Sequence, residues 1–153
     1  MRQIRLLMIA VGAVVVSSCA TTQGLSTANL IDPAEAIQSA ATVAPQAVRG
    51  RFAMRVRAVG RRDGNIYLNS EEDYRDQRNL TVTIRPSAIN ALAERFGEQA
   101  DRFLIGKRIV VDGEARRVQI DFTHNGQPTG KYYYQTHVDV REASQLSIAS
   151  AAE

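Results

Sequence analysis

The sequence predicts a mainly β domain: a small five-stranded barrel with one helix between the third and fourth strands. Two observations predict this domain, and a third predicts what precedes it. Apolar and polar side chains alternate in five segments between residues 48 and 141. One segment with helical spacing lies between the third and fourth of these. An apolar run close to the N-terminus predicts that a leader and a flexible tether precede the domain.

The first residues have the layout of a secretion signal. Arg2 and Arg5 precede an apolar run over residues 6–16, which leads into Val16-Ser17-Ser18-Cys19. The run is shorter than the ~20 residues that a transmembrane helix needs. We therefore expect residues 1–18 to be removed when the protein is exported.

The segment Val16-Ser17-Ser18-Cys19 resembles the bacterial lipobox. That resemblance implies that Cys19 is lipidated and anchors the mature chain to a membrane through its acyl chains. Inner-membrane lipoproteins tend to have aspartate where this chain has Ala20, so the resemblance also implies the outer membrane of the cell envelope, facing the periplasm. The alternative is an ordinary signal peptide with an incidental cysteine. Cys19 is the only cysteine, which excludes a disulfide within the chain.

The net charge falls when the signal is removed. The full chain has 19 Lys and Arg against 16 Asp and Glu, a formal net charge of +3. Loss of Arg2 and Arg5 leaves 17 basic and 16 acidic residues, a net charge of +1. A basic field over the whole protein, of the kind that attracts nucleic acid, is therefore not expected.

Residues 19–47 are predicted to form the lipidated tether and a short helix. Residues 20–31 read as flexible chain. Asp32 can cap a helix, Pro33 suits its first position, and Glu35 lies three residues after the cap. The helix is expected to end before Pro45.

The first three strands follow from Val48. In the first, Phe52, Met54, Val56 and Ala58 share one face, and arginines occupy the other. The turn residues Asp63-Gly64-Asn65 separate it from a second strand over residues 66–69. A charged loop over residues 70–79 leads to a third strand over residues 80–85.

The helix and the last two strands complete the order. Pro86 stops the third strand, and Ser87 can cap a helix that runs to about Ala100. The fourth strand starts at Arg108, and its apolar phase changes near Arg116-Arg117, which predicts a β-bulge there.

A turn-rich loop over residues 124–130 is predicted to follow the fourth strand. The last strand is predicted over residues 131–141, with Tyr132 and Tyr134 pointing into the barrel and Tyr133 pointing outward. Residues 142–153 form a C-terminal tail without a strong signal.

Five strands with a helix between the third and fourth are the order of an OB-fold. The motifs at residues 66–70, 104–107 and 110–115 resemble bacterial OB domains related to the tRNA anticodon-binding-like group. The resemblance covers residues 48–141 and implies an OB-fold-like domain. It implies no particular activity, because one fold serves many functions.

An outward stripe of arginines on and after the first strand is the first candidate site. The stripe could bind an anionic ligand; it consists of Arg49, Arg51, Arg55 and Arg57 on one outward face of the strand, continued by Arg61 and Arg62. The favoured interpretation is that opposite charges pair across the sheet. The carboxylates available for such pairing on the fourth and fifth strands are Asp112, Glu114, Asp121 and Asp139.

A small polar and aromatic surface is the second candidate. OB-folds that bind oligonucleotides stack bases on aromatic residues of the second and third strands, and here only Tyr67 is expected to face outward there. One tyrosine, no tryptophan and an extracytoplasmic location argue against nucleic acid as a partner. Tyr133, Gln135 and His137 are expected to share an outward face near the last loop, where they could form a small patch with His124 as a further candidate; the alternative is ordinary strand surface.

No motif for catalysis or for a cofactor is present. Neither histidine has a carboxylate or cysteine at metal-ligand spacing, and the acidic residues 71–76 are interleaved with arginine and lack an EF-hand pattern. We therefore expect no catalytic residues, no metal and no cofactor. The sequence favours a non-enzymatic, membrane-anchored module that binds a partner protein, a glycan or another envelope component. The alternative is an OB-fold protein that hydrolyses phosphodiesters or binds nucleic acid.

Overall fold

The computed structural model describes residues 29–97 and 99–149, so Cys19 and the predicted signal lie outside the described residues. The described part is mainly β, with one mixed sheet of eight strands and three α-helices. The strands are β1 (Leu30–Ile31), β2 (Ala47–Arg55), β3 (Ala58–Arg62), β4 (Asn65–Asn69), β5 (Leu80–Ile84), β6 (Arg108–His124), β7 (Gln127–Val140) and β8 (Leu146–Ile148). The helices are α1 (Pro33–Val43), α2 (Pro86–Phe96) and α3 (Ala100–Leu104).

The predicted order of strands and helix is found, but the closed five-stranded barrel is not. The hydrogen-bonded path runs β1-β2-β6-β7-β5-β4-β3, and β8 adds to β6. Strands β5 and β7 pair in parallel, whereas β2 with β6 and β6 with β7 pair antiparallel. The path stays open because β2 and β3 do not pair with each other within the described residues.

The open path arises because the first predicted strand breaks in two. Val56 and Arg57 lie between β2 and β3, and they belong to neither the β2–β6 nor the β3–β4 pairing. The Val56 amide donates to the carbonyl of Lys107 at 2.9 Å, and the Arg57 amide donates to the carbonyl of Asn69 at 2.8 Å. Strand β2 therefore continues along β6, and β3 continues along β4, at opposite sides of the sheet.

The core lies on the face that the alternation predicted. Phe52 and Val56 are fully buried, and Met54 is 3% exposed. Helix α1 packs against β2 and β6 through two fully buried alanines, Ala36 and Ala40. The small alanine side chains let the helix backbone lie close to the sheet.

Helix α1 is found as predicted, and α2 is not capped as predicted. The Asp32 side chain accepts a hydrogen bond from the Glu35 amide at 2.9 Å, which satisfies one of the first amides of α1. In α2 the cap position is Arg85, which makes no side-chain cap bond. The Ser87 hydroxyl instead donates to the carbonyl of Arg141 at 2.7 Å and ties α2 to the end of β7.

The predicted bulge in the fourth strand is misplaced. The register between β6 and β7 is continuous across Arg116-Arg117, and the irregularity lies between Asp121 and Thr123. The apolar phase changes because β6 runs past the core after Ala115, which is fully buried. Beyond this point β6 and β7 form a two-stranded ribbon, and neither face of the ribbon continues the core.

The ribbon ends in a tight turn where a loop over residues 124–130 was predicted. Asn125 and Gly126 have φ of 50° and 77°, as a two-residue hairpin turn requires, and β7 starts directly at Gln127. The inward placement of Tyr132 and Tyr134 is also wrong, because they are 54% and 40% exposed. Tyr133 is more covered than either, since its ring packs on Phe122 at 5.3 Å between centroids.

The C-terminal segment completes the sheet. A 3-10 helix over Ala143–Gln145 leads into β8, whose Leu146 is fully buried. The Gln145 amide nitrogen donates to the carbonyl of Asp112 at 2.9 Å, and its oxygen accepts from the amides of Arg141 and Glu142. This side chain bridges β6 and the end of β7 where β8 takes over the pairing with β6.

Candidate functional site

A groove of about 900 Å³ crosses the outer face of β2, β6 and β7. Its volume lies in the ~300–1,000 Å³ range of ligand sites. The side chains that line it stand on alternate positions of these strands, opposite to the buried Phe52, Val111 and Val138. The charged residues that line it are Arg49, Arg51, Arg85, Arg116, Arg141, Asp112, Glu114 and Asp139.

Cross-strand ion pairs cover one wall of the groove. Arg49 and Glu114 are direct partners in the β2–β6 register and lie 3.1 Å apart, N to O. Arg51 pairs in the same way with Asp112 at 3.2 Å. Glu114 also accepts from Arg116 at 3.0 Å. The pKa of Glu114 is held below its usual range by its hydrogen bonds from Arg49 and Arg116.

A second group of ions forms the other wall. Arg85 donates to Asp139 at 2.9 Å, and Arg141 lies 3.8 Å from the same carboxylate. Five guanidinium groups in the groove thus share three carboxylates, so the charged groups that line it have a net charge of +2 (five positive and three negative). All five arginine side chains are at least 41% exposed, so their remaining N–H donors face solvent.

His137 also lines the groove and is held in one tautomer. Its Nε2 lies 2.7 Å from Gln135 Oε1, and its Nδ1 lies 3.2 Å from the Thr83 hydroxyl. The Gln135 amide nitrogen donates to the carbonyl of Tyr74 and to the Tyr133 hydroxyl, so its oxygen is the acceptor. The proton of the neutral ring is therefore on Nε2, and Nδ1 accepts from Thr83.

Burial is the main reason that His137 stays neutral. It lowers the pKa of His137 to about 4; the carboxylate of Asp139 opposes this effect, and the positive charge of Arg85 adds to it. At neutral pH this ring adds no charge to the groove.

Of the arginine stripe predicted from the sequence, Arg49 and Arg51 line the groove, whereas the other four arginines lie outside it. Arg55 donates to the carbonyl of Gly106 at 2.6 Å, beyond the buried Ala53 of the same strand. Arg57 lies 3.8 Å from a carboxylate oxygen of Glu71. The residues that they contact, Gly106 and Glu71, lie close in sequence to Lys107 and Asn69, which accept the amide hydrogen bonds of the break between β2 and β3.

Arg61 and Arg62 are at the far end of β3. Arg61 donates to Asp101 of α3 at 2.7 Å, and that hydrogen bond lowers the pKa of Asp101. Arg62 lies 3.3 Å from Asp63 in the adjacent turn. The stripe therefore does not form one surface: two of its arginines belong to the groove, and the other four make separate local contacts.

The predicted cross-strand pairing is found at two of the four carboxylates. Asp112 and Glu114 pair with arginines of β2, whereas Asp139 pairs with Arg85 and Arg141. Asp121 accepts from Gln119 at 2.8 Å and is in no ion pair within the described residues.

The outer face that would carry Tyr67 is covered in part by the loop over residues 70–79 and in part by His137. Thr81 and Thr83 of β5 are 2% and 1% exposed; Thr81 contacts Asn79, and the Thr83 hydroxyl lies 3.2 Å from His137 Nδ1. The Asn79 amide nitrogen donates to Thr81 at 2.9 Å and to Asn69 at 3.1 Å. Tyr67 is half-buried and contacts His137 edge-on, with ring centroids 6.4 Å apart.

Of the predicted patch, Tyr133, Gln135 and His137 are joined by hydrogen bonds through Gln135, whereas His124 lies apart from them. Tyr133 is half-buried against Phe122, and its burial raises its pKa. His124 is exposed at the end of β6, beside the turn.

Three arginines of the groove were not predicted from the sequence: Arg85, Arg116 and Arg141. Arg85 and Arg141 directly follow β5 and β7, and Arg116 lies in the middle of β6. They could have been found by marking every second residue of each strand as outward-facing and then aligning neighbouring strands in the order that they have in the sheet.

Two general features of the described residues bear on the site. Within residues 29–97 and 99–149, no group of three His, Cys, Asp or Glu side chains is arranged to hold a metal ion. None of the helices in these ranges is long and apolar enough to cross a membrane.

No family model matches the chain, and no curated protein matches it. Among solved structures, it is similar to an aspartyl tRNA synthetase from Entamoeba histolytica, with 13% identity and a TM-score of 0.45. The match covers 99% of this chain and 29% of the synthetase, so the chain spans less than a third of that protein's length.

Proposed function

We propose that this protein is a membrane-anchored, non-enzymatic binding module whose groove receives an anionic group of a partner protein or envelope component. The observation that carries the proposal is the charge of the groove, where five arginines share three carboxylates. A carboxylate or phosphate on the ligand would complete this set of charges.

The ion pairs within the groove are weak enough to rearrange around a ligand. Exposed pairs of this kind contribute only about 0.2–1 kcal/mol each. Arg49 and Arg141, whose side chains are 86% and 74% exposed, use few of their donors within the chain. A guanidinium can bind a carboxylate or phosphate through two parallel N–H bonds, so these donors suit such a ligand.

The proposed domain type is OB-fold-like. One support is the strand order, in which β2 and β3 act as two halves of a bent first strand. Another is the parallel pairing of β5 with β7, which are separated in the sequence by α2 and β6. The groove then lies on the β2–β6–β7 side, and the side built by β4 and β5 is covered in part by residues 70–79 and in part by His137.

We also propose the lipid anchor at Cys19 and a periplasm-facing position at the outer membrane, on the lipobox resemblance alone. Replacing Cys19 by alanine in the producing bacterium should release the protein from the membrane fraction or leave its signal uncleaved. Fractionation and intact mass measure both effects. A Cys19→Ala protein that is processed and still sediments with membranes would contradict the anchor.

The groove is tested with small anions as probes. Citrate presents carboxylates and pyrophosphate presents phosphates. Calorimetry at low and at high salt measures the affinity of the protein for each anion. We expect binding that weakens with salt and falls at least about tenfold in the double variant Arg116→Ser/Arg141→Ser, because screening and loss of charge both reduce the attraction.

The matched control is Arg62→Ser/Arg75→Ser, which removes the same charge outside the groove and should bind like the native chain. Equal affinities for both double variants, or no binding of either anion, would refute the proposal. A single-stranded oligonucleotide is the third probe: tight binding that Tyr67→Ala abolishes would favour the nucleic-acid alternative instead.

A further inference from the structure

The ribbon formed by β6 and β7 has free edges beyond the core. Strand β2 pairs with β6 only as far as Arg116, and β5 pairs with β7 only from Thr136 onward. From Arg117 to the turn, β6 pairs with β7 alone among the described residues. A two-stranded ribbon is marginally stable by itself, and an unpaired edge is a template for another strand.

The free edge of β6 carries a charge at each end. Arg117 lies over the ring of Tyr134, with its guanidinium carbon 3.6 Å from the ring centroid, and Asp121 accepts only from Gln119. Within the described residues neither of them is in an ion pair, in contrast to the paired carboxylates of the groove. On the other face of the same strand lie Val118 and Ile120, both half-buried.

This pattern is complementary to itself about Gln119. If two copies of the strand pair antiparallel with Gln119 opposite Gln119, Arg117 of each copy lies opposite Asp121 of the other. Val118 then lies opposite Ile120. Directly opposite residues share a face, with Cβ atoms about 4.5–5.5 Å apart, so two ion pairs and two apolar pairs would form.

The fit is confined to residues 117–121 by the chain itself. At Arg116 the edge of β6 is already paired with Ala47 of β2, so the β6 strand of a second copy cannot pair beyond Arg117 without contacting β2. The register irregularity between Asp121 and Thr123 bends the ribbon just after the complementary segment.

We propose that the protein forms a two-fold symmetric dimer in which the β6 edges of two copies join over residues 117–121 into one four-stranded sheet. Each copy offers the same patch to the other, as a two-fold interface requires. The groove on β2, β6 and β7 stays on the outer face and is repeated once in each copy.

Charge reversal tests the register. The full chain is purified in mild detergent, and sedimentation measures its dimer dissociation constant. Arg117→Asp and Asp121→Arg should each raise that constant at least about tenfold, because each sets like charges opposite one another twice. The double variant Arg117→Asp/Asp121→Arg should restore the native value. Lys131→Asp, which makes the same charge change on the β7 side of the ribbon, should leave it unchanged.

Crosslinking tests the same register without changing a charge. In a full chain carrying Cys19→Ser, Gln119→Cys should give a disulfide-linked dimer, since the two thiols lie opposite each other. The matched control Thr123→Cys, which leaves every charge in place, should not, because its two thiols would be roughly 26 Å apart along the strands. A native chain that sediments as a monomer, a double reversal that fails to restore the dimer, or equal crosslinking of both cysteines would overturn the proposal.

Discussion

His137 shows how a single side chain links the groove to the stability of the sheet. Its ring lies between the groove and the covered face of β5, and both ring nitrogens have partners that suit the neutral form. Protonation would place a buried positive charge beside Arg85, so the fold opposes it.

The stability of the protein should therefore fall as the pH is lowered from about 6.5 toward 5. The unfolded imidazole takes up a proton near pH 6.5, whereas the folded one does so only near its pKa of about 4. The stabilising effect is fully present above pH 6.5 and is lost as the pH falls. Over the whole shift from 6.5 to about 4 it amounts to on the order of 3–4 kcal/mol, at about 1.4 kcal/mol per pKa unit.

Urea unfolding followed by circular dichroism at several pH values measures this slope. His137→Gln should remove the dependence between pH 6.5 and 5, a range above the ordinary titration of carboxylates. His124→Gln, at the exposed end of β6, is the control and should keep it. The same slope in both variants would show that His137 is not its source.

At the scale of elements, Gly113 fixes how closely β6 and β7 approach where β8 begins to replace β7. A Cβ at this position would lie 2.8 Å from Cγ1 of Val138 and 3.6 Å from the carbonyl of Asp139. Val138 is fully buried and β-branched, so it has little freedom to move away.

Gly113→Ala should lower the free energy of unfolding by about 1–3 kcal/mol, the usual cost of overpacking a core. Gly60→Ala in β3 is the matched control, because no atom lies within 4 Å of its added Cβ. It should leave stability unchanged or raise it by about 0.4–1 kcal/mol through a less flexible unfolded chain. Equal losses in both variants would contradict the packing explanation.

The elements that the sequence predicted well are those with one face on the core. Strands β4 and β5 and helix α1 obey this rule, and their alternation or capping residues place them within a residue or two. The β6–β7 ribbon does not obey it, since neither of its faces continues the core, and alternation there says nothing about which side is buried. Strands β1 and β8 have two and three residues, too few for any periodic pattern.

At the scale of the whole molecule, the groove depends on strand order and register together. Arg49 and Arg51 belong to the arginine stripe that the sequence shows, and their partners Asp112 and Glu114 were among the carboxylates expected to neutralise it. Outward parity alone did not bring Arg85, Arg116 and Arg141 to the groove, because it identifies them only together with the strand order, which depends on the break at Val56-Arg57 and on the end of β6–β7 pairing at Ala115. Those two features arise from packing and leave no short motif.

The central claim is that an anion binds in this groove through its arginines. Titration of the isotope-labelled protein with citrate, followed through the Nε–Hε signals of assigned arginines in NMR spectra, tests it most directly. We predict saturable shifts at Arg49, Arg51, Arg85, Arg116 and Arg141, and none at Arg61, whose Nε–H donates to Asp101. Shifts of equal size at arginines all over the surface, or no saturation, would contradict the claim.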